Sequence, residues 1–129
     1  MGDGWAWLSL SVFSSDLSSE EALDLLPGSV ASQRNPHLAS VRFRGGERGS
    51  SLNALLSELA DYLDSHRDEL RNGSRLADFQ LRVGWSPRSP QESVAIPAPL
   101  LAALADLGVD VMIDAYDDAD ETAEPTEAG

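Results

Sequence analysis

The stretch WAWLSLSVF, residues 5 to 13, places large apolar side chains at Leu8, Leu10 and Val12 and a serine between each pair. A period of two is typical of a β-strand that buries one face, because successive side chains of a strand point to opposite sides of the sheet. The pattern therefore predicts a first strand that begins near Trp5 and turns its leucines and valine toward a core.

A short helix is predicted directly after this strand. Ser18 and Glu21 have the spacing of a capping box, in which a serine and a glutamate satisfy each other's backbone N–H groups. Pro27 and Gly28 end the apolar pattern that follows. The composition of residues 29 to 37 is typical of turns.

The remaining chain alternates between strand-like and helix-like periods. Leucines at helical spacing begin after Ser51, a typical N-cap, and continue to about Arg71, where Asn72 and Gly73 are predicted to stop the helix. Pro99 suits the first turn of a third helix, which Gly108 ends. Further strands are predicted around Ala39, Val41 and Phe43, from Phe79 to Trp85, at Val94 and Ile96, and from Val109 to Ala115.

These elements predict an α+β fold in the order β-α-β-α-β-β-α-β, whose last six elements have a ferredoxin-like succession. The economical architecture has two layers, with about five mostly antiparallel strands and three helices on one face of the sheet. We expect one domain over residues 1 to 117 and a disordered acidic tail over residues 118 to 129. The expected common core contains Leu10, Val41, Leu59, Leu81 and Val111.

The composition narrows the classes of function. The 129 residues carry a net charge of −13, and cysteine is absent, which excludes disulfides and thiolate metal sites. The negative charge disfavours nucleic acid and anionic lipid, so an electrostatically attracted partner should be basic. No leader-like or membrane-spanning apolar run is apparent, which predicts a cytoplasmic protein without a membrane partner.

No residue pattern indicates catalysis, a cofactor or a metal. The loop from Gly45 to Ser51 lies where a phosphate-binding loop would lie, but its glycine spacing is short and the chain has no lysine. His37 and His66 are isolated, and the acidic residues from Asp114 onward lack the glycine and distal glutamate of a calcium loop. The sequence therefore predicts a protein that is not an enzyme and has no cofactor.

The second face of the predicted sheet is the candidate binding surface. Its mixture of arginine, aspartate and aromatic residues resembles the composition of protein interfaces. An alternative is that the charged residues form cross-strand ion pairs and that a loop covers the tryptophan. The candidate partner-binding residues are Trp7, Arg42, Arg44, Arg82, Asp110, Asp114 and Tyr116.

Two segments resemble the bacterial domain-of-unknown-function 4279 family. One is the first strand followed by DLSSEE, residues 16 to 21, and then Leu25 and Leu26; the other is IPAPLLAALADLG, residues 96 to 108, with Asp110, Ile113, Asp114 and Tyr116 after it. In place of the family's Pro and Gly-Trp segment, this chain has residues 29 to 37. The resemblance implies a fold but carries over no catalytic residues.

Small acidic bacterial domains of such families resemble immunity proteins, which neutralise a toxin by binding it. By this analogy the leading hypothesis is a non-enzymatic protein-binding domain whose partner is a toxin domain. The alternative is a small-molecule-binding or regulatory α+β domain, which an apolar pocket between the second helix and the sheet would favour.

Overall fold

The computed structural model describes residues 5 to 43, 51 to 86 and 93 to 115. Within these ranges five strands and four helices follow one another along the chain. They are β1 (Trp5–Phe13), α1 (Ser19–Leu23), β2 (Val30–Ala31), β3 (Leu38–Phe43), α2 (Leu52–Ser65), α3 (Arg67–Ser74), β4 (Asp78–Ser86), α4 (Ala98–Asp106) and β5 (Asp110–Ala115).

The strands form one mixed sheet in the order β2-β3-β1-β4-β5. β1 is the central strand and pairs antiparallel with both β3 and β4 along most of its length. β5 pairs with β4 in parallel, so α4 serves as the crossover connection that a parallel pair requires. The predicted α+β class with a five-stranded sheet is confirmed.

The core lies between one face of this sheet and the helices. Leu8, Leu10 and Val12 of β1 are fully buried, as the alternation of residues 5 to 13 predicts. They form one cluster with the apolar residues of β4 and with buried side chains from all four helices, including Leu59 of α2 and Leu70 of α3. The result is the two-layer arrangement that the sequence predicts.

The helix starts follow the predicted capping chemistry. Ser18 accepts a hydrogen bond from the Glu21 amide, and the Glu21 carboxylate accepts one from the Ser18 amide, which completes the capping box. Ser51 likewise accepts from the amide of Ala54 at the start of α2. The predicted end of α4 is also confirmed, because Gly108 has a φ of +69°, which favours glycine.

The second predicted helix differs from its prediction in two ways. His66 has a φ of −118° and a ψ of 26°, so the chain bends there and continues as the separate helix α3. Asn72 and Gly73 lie inside α3 and do not end it. Gly73 is buried, and an added Cβ would lie 3.1 Å from the carbonyl oxygen of Leu25 and 3.2 Å from the Phe79 ring. Close packing, and not helix termination, therefore explains this glycine.

Two strand predictions are wrong, and together they move the ferredoxin-like succession from the last six elements to the start of the chain, where β1, α1, β2, β3, the α2 and α3 pair and β4 follow in the order β-α-β-β-α-β. Residues 93 to 97 do not form a strand, although Val94 and Ile96 pack against the core. β4 has β1 on one edge and β5 on the other, so neither of its edges is open to a following hairpin strand. The fifth strand is instead β2, which lies in the segment predicted as a turn and pairs with Ser40 and Ala39 of β3.

One member of the predicted common core is also wrong. Leu10, Leu59 and Leu81 are buried and Val41 packs against them, but Val111 of β5 is 41% exposed. The tail over residues 118 to 129 and the last residues of the predicted domain lie outside the described residues.

Tyr62 ties α2 to the turn after α1. Its hydroxyl donates a hydrogen bond to the carbonyl oxygen of Pro27, and its ring packs edge-on against Phe43 with 5.5 Å between the centroids. Burial, followed by the negative charge of Glu69, raises the pKa of Tyr62 above its ordinary value. The fold therefore favours the protonated phenol.

Leu59→Ala should lower the free energy of unfolding by about 2–5 kcal/mol, because the leucine is fully buried between α2 and the sheet. Denaturant titration provides the measurement. Leu101→Ala is the matched control, since that leucine is 48% exposed on α4 and should change stability by less than about 0.5 kcal/mol. Equal losses in the two variants would contradict this placement of the core.

Tyr62→Phe should lower stability near neutral pH by about 1 kcal/mol, the usual contribution of one hydrogen bond. Because the folded-state pKa of Tyr62 is raised, its contribution is present below the unfolded pKa of about 10 and is lost as pH rises above it. Unfolding measured from pH 8 to pH 11 should thus show a smaller alkaline loss in the variant. The same alkaline slope in both proteins would argue against a raised pKa.

Candidate functional site on the second face of the sheet

The sheet face opposite the helices is named the distal face here. The strand register sets its side chains in rows that run across the strands. The first row contains Trp7, Gly84 and Asp114; the second contains Arg42, Ser9, Arg82 and Met112; the third contains Ser40, Ser11, Gln80 and Asp110. The described residues that the sequence assigned to the candidate surface therefore do share one face.

Trp7 is on the predicted face, but it is not an exposed side chain. It is only 2% exposed, and its indole lies directly over Gly84, where an added Cβ would be 2.2 Å from the indole Cε2. The guanidinium of Arg42 stacks above the same ring, 5.6 Å from its centroid. The expectation that Trp7 faces solvent is therefore wrong, because Gly84 and Arg42 enclose the ring.

The charged residues of the distal face separate into two regions. Arg82 donates a hydrogen bond to the carboxylate of Asp114 at 3.1 Å, and both side chains are partly buried. This is the cross-strand ion pair that the alternative interpretation predicted. Asp110 is exposed at the other end of β5. Arg44 and Tyr116 lie outside the described residues.

A pocket of about 470 Å³ opens at the acidic end of the distal face. We call it the acidic pocket. Asp78 and Asp110 line it together with Gln80 and Ser11, and the half-exposed ring of Phe13 forms an apolar wall. None of the described residues that line it is an arginine. Carboxylates, an amide and an aromatic ring in one concave surface suit a basic side chain better than an anion.

Three consecutive hydrophobic side chains of β5 are exposed, and they follow Asp110 of the acidic pocket in sequence. Val111 is 41% exposed, Met112 44% and Ile113 50%. The sequence analysis did not find them, because a run of apolar residues with strand periodicity is also what a buried strand shows. These side chains are exposed because β5 lies at the end of the sheet, where the helices do not cover it fully.

A second concave surface lies between the helices. A groove of about 550 Å³ separates α2 and α3 from α4, with Leu63, Leu100 and Leu107 along it. Arg71 bridges its rim by a hydrogen bond of 2.9 Å to the carboxylate of Asp106. The groove lies between helices, whereas the pocket considered from the sequence lies between the second helix and the sheet.

Both histidines of the chain have structural contacts. The Nδ1 atom of His37 lies 2.7 Å from the carbonyl oxygen of Leu17, and that of His66 lies 3.3 Å from the Glu69 carboxylate. In the described part of the chain no three histidine or acidic residues are grouped closely enough to hold a metal ion. Within the same ranges, no helix has both the length and the apolar composition needed to cross a membrane.

No protein-family model, curated protein or solved structure matches this chain. The resemblance to the domain-of-unknown-function 4279 family stays a prediction.

Gly84→Ala should destabilise the domain by about 1–3 kcal/mol, because its Cβ would overlap the Trp7 indole. Alanine is normally better than glycine inside a strand, so the sign of the change is diagnostic. In a Trp7→Leu background the same substitution should cost less, since the overlapping ring atoms are gone. Thermal or denaturant unfolding of the wild type, the two single variants and the double variant gives the coupling energy between the two positions. Additive changes in stability would contradict the contact.

Proposed function

We propose that this chain is a non-enzymatic protein-binding domain of the bacterial cytoplasm, and that it acts as an immunity protein by binding and neutralising a toxin. The observation that carries the proposal is the exposure of β5, where Met112 lies on the distal face with Asp110 of the acidic pocket, and Val111 and Ile113 are exposed on the opposite face. Exposed apolar side chains bordered by charge are typical of interaction sites.

The charge of the molecule indicates the kind of toxin that it would bind. The chain carries a net charge of −13, and none of the described residues that line the acidic pocket with Asp78 and Asp110 is an arginine. An acidic surface attracts a basic partner and speeds its association at low ionic strength. Basic residues help a toxin that acts on nucleic acid, since they attract phosphates. A basic toxin domain thus fits this surface.

The resemblance to the domain-of-unknown-function 4279 family supports the same proposal by analogy only. The proposed binding surface differs from the one expected from sequence, because Trp7 is enclosed and Arg82 is paired with Asp114. Its centre moves to β5 and the acidic pocket. Among the residues first considered, Asp110 belongs to this revised surface.

The first experiment is a protection assay in the native host. The product of the gene next to this one is expressed as the candidate toxin, with and without the chain, and growth is followed. Growth should be restored by the chain, and the two proteins should copurify. Failure of protection together with failure to copurify would argue against the immunity function.

Met112→Glu should weaken binding of the toxin partner by about 2 kcal/mol or more, the usual effect at the centre of an interface. Leu101→Glu is the matched control, because Leu101 is 48% exposed and Met112 44%, so the two substitutions should perturb folding equally little. Calorimetry on both variants provides the measurement. Loss of affinity in the Leu101 variant alone would move the binding surface to α4.

The groove between the helices favours a second candidate function, that of a small-molecule-binding or regulatory domain. Its volume lies within the range of ligand pockets, and its leucines suit an apolar ligand. Native mass spectrometry of the chain purified from its host tests this function. A retained small molecule that is lost in Ala103→Trp, which narrows the groove, would support it.

A further inference from the structure

β5 ends the sheet on one side with an edge that has no strand partner among the described residues. It pairs with β4, and the parallel register runs from Gln80 opposite Asp110 to Trp85 opposite Ala115. Alternate N–H and C=O groups along the other edge of β5 therefore point away from β4. Such an edge is a template for another extended chain.

The side chains of β5 present different chemistry on its two faces. Val111 and Ile113 stand in register with Leu81 and Val83, which places them on the helix side of the sheet. They remain about half exposed, because the helices bury the β4 residues but leave β5 partly uncovered. Asp110, Met112 and Asp114 lie on the distal face. The edge is thus apolar on one face and acidic around a methionine on the other.

We propose that β5 accepts an extended segment of the partner as a sixth strand, in which apolar side chains alternate with basic ones. This inference rests on the proposed function and states how the partner binds. The apolar residues of the segment pack beside Val111 and Ile113, and the basic residues lie beside Asp110 and Asp114. Main-chain hydrogen bonds supply affinity in this mode of recognition, and alternate side chains supply specificity.

The acidic pocket fixes one end of the added strand. Asp110 belongs to both the β5 edge and the pocket, where Asp78 is a second carboxylate. A basic side chain at this end of the segment can therefore lie against Asp110 and extend toward Asp78. At the other end of β5, Arg82 already balances Asp114 at 3.1 Å. The strongest demand for positive charge is consequently at Asp110.

A second copy of the chain fits this edge poorly. Two copies of β5 paired antiparallel about Met112 would set Asp110 of one directly opposite Asp114 of the other on the same face, and like charges in that position destabilise a sheet. Each copy also carries a net charge of −13. The other end of the sheet is a weaker template, since β2 is only two residues long.

The test uses the full chain and a short capped peptide in which valine and arginine alternate. Titration followed by NMR should shift the backbone amides of residues 110 to 115 and slow their exchange with solvent. A peptide of the same composition with its arginines and valines in separate blocks should bind about tenfold more weakly, because it cannot match both faces. Changes centred on the groove between α2 and α4, or equal binding of both peptides, would overturn the proposal.

Two N-methylated peptides decide whether the added chain is a strand. In one every valine amide is methylated, and in the other every arginine amide. The side-chain pattern fixes which face each residue takes, so for either strand direction only one of these two sets of amides points at β5. One peptide should lose binding by about tenfold or more, and the other should keep it. If both methylated peptides bind, or if neither binds, strand addition is refuted.

Variants of the chain complete the test. Asp110→Asn should weaken binding of the alternating peptide several-fold, whereas Asp61→Asn, which removes one exposed charge from α2, should not. Sedimentation should show a monomer, and a dimer abolished by Met112→Glu would show that a second copy occupies the edge. If the toxin binds through Met112 while the N-methylated peptides behave alike, the protein-binding function stands and strand addition falls. If no toxin is found but the peptides behave as expected, strand addition stands and the immunity function falls.

Discussion

The burial of Leu8, Leu10 and Val12 beneath the helices is the constraint on which the rest of the molecule depends. β1 is paired on both edges, so the orientation of these three side chains sets the register of β3 and β4 together. A shift of one residue in register would bring Ser9 and Ser11 into the core and expose the leucines, which would destabilise the fold. The composition of the distal face follows from this register.

The distal face is consequently closed in one region and open in another. Where the rows contain Trp7, Gly84 and the arginines, an enclosed ring and an ion pair leave little surface for a partner. Where they contain Gln80 and Asp110, the pocket walls are polar and accessible. β5 joins the open region to an exposed apolar strand. This asymmetry, and not the aromatic content of the face, is what directs the proposed partner to the edge of the sheet.

Local patterns predicted much of the fold and less of the site. The capping box at Ser18, the cap at Ser51, the glycine at 108 and the alternation of β1 and β4 are determined by neighbours in sequence, and all were predicted. Strand order depends instead on which strand edges are free to pair, and the local sequence does not show this. The extended pattern at Val94 and Ile96 indicated a strand paired with β4, but both edges of β4 are occupied. The apolar run of β5 indicated burial that its edge position does not provide.

The site illustrates the same limit at the level of single residues. Placing Trp7 and Arg42 on one face required only a period of two, and the structure agrees. The enclosure of Trp7 depended on Gly84, which is distant in the chain and lies opposite Trp7 in the register. Nothing in the local sequence around Gly84 indicates this role, because a glycine within a strand can equally mark a bulge or a tight bend.

The contact between Trp7 and Gly84 also has an evolutionary consequence. Each of the two residues is acceptable only while the other is present: the indole needs a neighbour without a Cβ, and the glycine is a poor strand residue unless a large ring covers it. Substitutions at the two positions should therefore be inherited together. Homologous chains with a smaller side chain at position 7 are expected to have a residue other than glycine at position 84. Such paired substitutions would indicate from sequences alone that β1 and β4 are neighbours.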